Sequence, residues 1–198
     1  MRKKLLITGF EPFGKDTVNP SWEAVKRLPD KAGRFELMKL QVPVVFGLAA
    51  ETVLEAAKEY CPDVILSIGQ AGKRDSVTPE VVAINLRDAS IADNAGKKPQ
   101  DEPVIADGQN AYFSSVPGRT IFQAVKDAGI PCAISYSAGV YVCNDLFYTL
   151  LHHSDGTTTR VGFIHVPSLP QQAEKPRSGM QLDVITQALD IAIQAIGE

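Results

Sequence analysis

Two hydrophobic periodicities take turns along this chain, and that alternation limits the available folds more than any single motif does. Apolar runs of strand length occur at Leu5–Thr8, Phe35–Val42, Val64–Ile68, Val81–Leu86, Cys132–Tyr136 and Val161–Val166. Stretches with helical spacing occupy Pro20–Leu28, Phe46–Tyr60, Arg119–Ala128, Cys143–His153 and Gly179–Ile196. Asn19 stands where an N-cap belongs, with Pro20 at the first helical position. Regular alternation of this kind predicts an α/β protein, a single-domain three-layer α/β/α sandwich around a largely parallel, twisted sheet. The chain has 198 residues, 44% of them hydrophobic and 22% charged, so residues 1–198 suit one domain with a sizeable core. Arg87–Ser115 breaks the pattern, being polar and rich in turn residues, and reads as a functional loop or one holding a small hairpin. Gln171–Ser178 reads as a mobile polar loop.

Several function classes fall away on the same reading. A net charge of −3 with no basic stripe argues against nucleic acid or an anionic membrane as partner. No stretch reaches the roughly 20 apolar residues of a spanning helix. The run at Leu5–Ile7 stops at Gly9 and reads as a buried strand, not a signal peptide. The three cysteines, Cys61, Cys132 and Cys143, lack CxxC spacing, so neither a disulfide framework nor a zinc site is expected. A reducing, cytoplasmic compartment follows as the expectation.

Ligand sites of parallel sheets lie outside the carboxyl ends of the strands. There the segment Ala133 to Asn144 runs from a strand through small residues into a helix, placing Cys143 in the first helical turn. Unpaired N–H groups and the helix dipole at that position favour a thiolate and can hold an oxyanion. A free cysteine is more often inert and buried, and Cys61 and Cys132 keep that reading. His165, at the end of a strand and just before Pro167, is the candidate base. His152 and His153 lie about ten residues along the helix from Cys143, too far at ~1.5 Å per residue, and read as exposed or dipole partners. A third group would hold the imidazole, and Glu80 is available, although taken alone it reads as a surface loop carboxylate.

Four blocks in order carry a resemblance over nearly the whole chain. They are Gly9-Phe10-Glu11-Pro12-Phe13-Gly14 with Asn19-Pro20-Ser21; Gly69-Gln70-Ala71-Gly72, Thr78-Pro79-Glu80, Ala83-Ile84-Asn85 and Asp93-Asn94; Ser137 to Asn144; and Gly162-Phe163-Ile164-His165-Val166-Pro167. Together they resemble the pyroglutamyl-peptidase I family, the pyrrolidone-carboxylate peptidases. The resemblance implies a catalytic triad of Glu80, Cys143 and His165, one α/β/α domain, commonly a homotetramer, and no metal or organic cofactor. It also marks departures. Val81 stands where the family usually has a basic residue, Ser90 where it commonly has Arg, and Ala92 where it commonly has Pro.

The implied activity is that of a cysteine omega-peptidase that removes N-terminal pyroglutamate from peptides and proteins through a thioester. A lactam is neutral and asks for apolar walls with a few hydrogen-bonding groups. Phe10 and Phe13 suit the ring, with core packing as the plainer role. Asn19 or Gln70 suits its amide, with helix capping as the plainer role of Asn19. Ile91, Tyr141 and Val142 close the pocket on the resemblance. The alternatives are a divergent relative that binds pyroglutamyl peptides with little turnover, or one acting on another lactam. The Gly69-Gln70-Ala71-Gly72-Lys73-Arg74 run lacks the spacing of a P-loop.

Overall fold

The computed structural model describes residues 2–172 and 179–197. Its elements follow in the order β1 (Lys3–Phe10), α1 (Pro20–Arg27), β2 (Lys31–Ala32), β3 (Phe35–Val42), α2 (Leu48–Tyr60), β4 (Val64–Gln70), β5 (Thr78–Pro79), β6 (Val82–Ile84), β7 (Ala111–Phe113), α3 (Gly118–Asp127), α4 (Val142–Ser154), β8 (Arg160–Val166) and α5 (Leu182–Gly197). Successive strand residues point to opposite faces, and in this chain both faces are apolar. Leu5 and Ile7 of β1, Leu66 and Ile68 of β4, and Ile164 and Val166 of β8 share one core with residues of α1, α3 and α5. Leu6, Ile65, Val161 and Phe163 face the other way, into a core shared with α2 and α4. The expected three layers follow directly from that two-sided burial.

The main sheet has six strands in the order β2-β3-β1-β4-β8-β5. β3, β1, β4 and β8 run parallel, while β2 and β5 join the edges antiparallel. The carboxyl ends of β1, β4 and β8 therefore bring Phe10, Gln70 and His165 to one rim.

Two strands expected from the sequence come out differently. Cys132–Tyr136 forms no regular strand; isolated bridges tie Cys132 to Val77 and Ser135 to Glu80. Pro79 has no N–H to donate to Ala133 O, so the run of bonds from Val77 N–Pro131 O to Val81 N–Ser135 O is broken in its middle. Within Val81–Leu86, β6 leaves the main sheet and pairs antiparallel with β7, so the long polar stretch supplies only one strand of this hairpin and otherwise forms the connection between the two. α2 starts at Leu48 and not Phe46, because Gly47 caps it with φ of 79°, a conformation glycine adopts freely. Of the loop expected at Gln171–Ser178, residues 173–178 lie outside the described residues.

Candidate active site

Strand register builds the centre of the site. β8 lies between β4 and β5, which sets Gly69 on one side of His165 and Thr78 on the other. Glu80, just past β5, donates its N–H to Phe163 O at 2.9 Å and so stays alongside β8. Its carboxylate Oε1 accepts a 2.7 Å hydrogen bond from His165 Nδ1. Glu80 and His165 are 1% and 4% exposed, so the surface-carboxylate reading of Glu80 does not hold. With Nδ1 committed to Glu80, Nε2 of His165 is the nitrogen left for proton transfer.

Cys143 is the second residue of α4. The chain enters that helix through Gly139, whose φ of 84° suits a residue without a side chain. A β-carbon built on Gly69 would sit 3.0 Å from Cys143 Sγ. Gly69 is also the register partner of His165, so the sulfur lies over the strand position next to that of the histidine, where any side chain would crowd it. The next residue, Asn144, is fully buried and pins α4 to β6. Its Oδ1 accepts from Ile84 N at 3.0 Å, and its Nδ2 donates to Ile84 O at 2.8 Å and Leu86 O at 3.1 Å.

The charges lean differently from the sequence expectation. Burial, with the charge of Glu80 adding to it, pushes the Cys143 thiol up to about 12, against the smaller downward pull of Arg74 and of the helix-start N–H. Those influences favour the thiol, where the helix dipole alone favours the thiolate. Burial also holds His165 below its ordinary 6.5, although its bond to Glu80 works the other way. For Glu80 burial pulls upward, yet the contacts with His165 and Arg74 leave it below the usual carboxylate range. At neutral pH these directions favour a neutral thiol, a neutral imidazole and an ionised carboxylate.

Beside the sulfur lies a pocket with about 290 Å³ of free space, lined by Phe10, Phe13, Asn19, Val44, Gln70, Tyr141, Val142 and Cys143. Its walls are mostly apolar. Asn19 is 2% exposed; its Oδ1 accepts from Ser21 N and Oγ, and its Nδ2 donates to Glu11 O, so it caps α1 and ties down the loop carrying Phe13. Gln70 donates from Nε2 to Ser168 Oγ at 2.9 Å, while its Oε1 is buried without a partner. Tyr141 is held by its hydroxyl on Ala92 O and by an edge-on contact with Phe46. Ile91 is 51% exposed and is not among the lining side chains. His152 is not exposed; its Nδ1 meets the Tyr112 hydroxyl at 2.9 Å, away from the sulfur.

Three participants escape a reading of the sequence. Val44 reaches the pocket from the turn after β3, and Gly69 is visible only as part of a motif. Arg74 contacts Glu80 Oε1 through Nη1 at 2.5 Å. A cation between a strand end and Glu80 was the available signal, but the path of the loop was not. Among the described residues no cluster of three or more potential metal ligands occurs, and no helix is long and apolar enough to cross a membrane.

Comparison with known proteins converges on one family. The family model described as pyroglutamyl peptidase matches residues 3–198. The pyrrolidone-carboxylate peptidase of Enterococcus faecalis is 47% identical over 196 residues, covering 97% of this chain and 92% of its own. That of Bacillus subtilis is 47% identical over 196 residues, covering 97% and 91%. Crystallographic pyroglutamyl peptidase I of Bacillus amyloliquefaciens superposes with a TM-score of 0.94 at 46% identity over 99% of this chain and 98% of that one. Pyrrolidone carboxyl peptidase of Thermococcus litoralis gives 0.93 at 36% identity, covering 98% and 92%.

Proposed function

The chain belongs to the pyroglutamyl peptidase family, and from that premise we propose that Cys143, His165 and Glu80 carry out its reaction. It is a cysteine omega-peptidase that removes N-terminal pyroglutamate. The observation that carries the residue assignment is the buried Glu80–His165 bond of 2.7 Å next to the only cysteine that faces the apolar pocket among the described residues.

His165 Nε2 takes the proton from Cys143 as Sγ bonds to the exocyclic pyroglutamyl carbonyl carbon. The proton leaves as the attack proceeds, which lets a sulfur that burial favours as the thiol react. The first N–H groups of α4 have no intrahelical acceptor and hold the developing oxyanion. Collapse of the intermediate breaks the C–N bond, and the leaving amine takes the proton from His165. Water then attacks the thioester while His165 accepts its proton; pyroglutamate departs and the proton returns to Sγ. Glu80 fixes the imidazole tautomer and stabilises its charged form.

Phe10, Phe13, Val44, Tyr141 and Val142 enclose the lactam ring. The free Oε1 of Gln70 accepts its N–H, whereas the Asn19 amide is committed to the loop. Proline has no ring carbonyl, and a site built around the lactam rejects such an analogue by up to roughly 10⁴-fold. Residues 1–198 act as one catalytic domain in a reducing, cytoplasmic compartment, assembled as the homotetramer implied by the family resemblance; sedimentation at working concentration checks the assembly.

The test is hydrolysis of a fluorogenic pyroglutamyl amide against its prolyl counterpart, with the wild type and Cys143→Ser. Cleavage of the first alone, absent in a folded Cys143→Ser variant, is the expected result. Turnover that survives in Cys143→Ser removes this nucleophile.

A further inference from the structure

One guanidinium bonds two of the three segments that supply the proposed triad and reaches the third, β8, through the Thr78 hydroxyl. Arg74 sits in the turn after β4, its N–H donating to Ala71 O at 2.9 Å. Nη1 donates to Glu80 Oε1 at 2.5 Å and to Thr78 Oγ1 at 2.5 Å. Thr78 is the register partner of His165 and donates from Oγ1 to His165 O at 3.4 Å. Nη2 donates to Ser137 O at 3.0 Å, in the turn that leads through Gly139 to Cys143. Glu80 Oε1 thus receives both His165 and Arg74, while Oε2 is buried without a partner. Two donors converge on Oε1, and both bonds are to an ionised carboxylate, so they hold that oxygen more firmly than His165 alone would.

We propose that Arg74 is the positioning residue of this site, locking Glu80 behind His165, anchoring the turn into α4, and balancing the carboxylate charge felt by Cys143. The inference rests on the proposed triad. The titratable and charged groups around the site are Glu80 beyond β5, His165 on β8, Cys143 on α4, Tyr141 before it and Asp93 behind Tyr141. Of these, Glu80 opposes a thiolate at Cys143 and Arg74 favours it. The pair lets Glu80 orient the imidazole without silencing the sulfur.

The experiment compares wild type, Arg74→Met and Arg74→Lys by steady-state kinetics and by the rate of iodoacetamide labelling of Cys143, followed by mass spectrometry of its peptide. A Cys143→Ala control establishes beforehand that turnover needs this sulfur; if it does not, the triad reading fails and not this inference alone. With the control inactive, Arg74→Met is expected to lose about 10- to 100-fold in kcat with little change in KM. Its labelling rate at about pH 8, where the thiolate is a minor fraction, is expected to fall about tenfold. Arg74→Lys restores the labelling rate but only part of kcat, because it keeps the charge without the two-nitrogen reach. If Arg74→Met is not recovered folded, Arg74→Gln, neutral but able to donate, is judged by the same rate. A folded neutral variant with kcat and labelling rate matching the wild type overturns the proposal, and so does a lysine variant whose labelling rate falls as far as that of the neutral one.

Discussion

Replacing Gly69 by alanine adds one methyl group and tests whether the site depends on the close approach of β4 to the sulfur. The residue has no positive φ, so alanine meets no backbone penalty, and the effect is purely steric. The new carbon would lie 2.8 Å from Phe163 Cζ, 2.9 Å from Cε1 and 3.0 Å from Cys143 Sγ. Ordinary contacts begin near 3.4 Å, so ring and sulfur must each retreat by about half an ångström. Phe163 has nowhere easy to go: it is 1% exposed, with ring centroids 4.8 Å from His165, 5.6 Å from Phe147 and 6.4 Å from Phe10. Overpacking of this kind costs about 1–3 kcal/mol. For a chain of this size that lowers Tm by roughly 2–12 °C. The displacement passes into His165 and Cys143 together, and a misplacement approaching 1 Å at reacting groups lowers turnover by about 10²-fold. Thermal unfolding and hydrolysis of the pyroglutamyl amide, measured on one preparation, read both effects. A Gly69→Ala protein with turnover within twofold of wild type would refute the reasoning, because the sulfur and the imidazole would then tolerate a side chain between them.

Other outcomes follow from the charges and the caps. Since His165 must be neutral to accept the thiol proton and burial holds it below 6.5, the acid limb of kcat/KM is expected below pH 6.5. The same depression means the unfolded chain binds more protons between the folded value and 6.5, so the contribution of His165 to stability is present above 6.5 and lost as pH falls; denaturant titration across that window checks the sign. Arg87→Met leaves Asp145, whose side chain is 0% exposed, with only the Gly47 N–H, and is expected to lower stability by about 3 kcal/mol in urea unfolding. Pairing it with Asp145→Leu recovers much of the loss if the penalty is the stranded charge. Asn19→Ala removes the cap of α1 and the tie to Glu11, lowering stability by about 1 kcal/mol and raising KM through the loop of Phe13; an unchanged KM separates capping from the pocket.

What the sequence discloses here is what depends on local pattern. The sandwich follows from apolar runs that bury both faces, and α1 is bounded by Asn19 and Pro20 as its capping chemistry requires. Cys143 at a helix start and His165 at a strand end are likewise local facts. Glu80 is not: no neighbour in sequence tells that a 2.7 Å bond to His165 will bury it, and only the family motif singles it out. Arg74 and Val44 depend on where loops travel after β4 and β3, which side-chain hydrogen bonds decide at long range. The Cys132–Tyr136 run has strand composition, but Pro79 on its partner interrupts the ladder. The protonation state of Cys143 was read from the helix dipole alone, and the stronger influences, burial and the charge of Glu80, come from the assembled site.

The Asn144 amide has a mechanical meaning beyond its hydrogen bonds. It reads Ile84 as a neighbouring strand would, through one acceptor and one donor, so β6 is clasped by β7 on one edge and by a side chain on the other. The strand pair and the start of α4 are therefore held by one continuous set of hydrogen bonds, so the geometry of β6 is part of what fixes the residue beside Cys143, while Phe113 at the other end of the same pair stands 74% exposed.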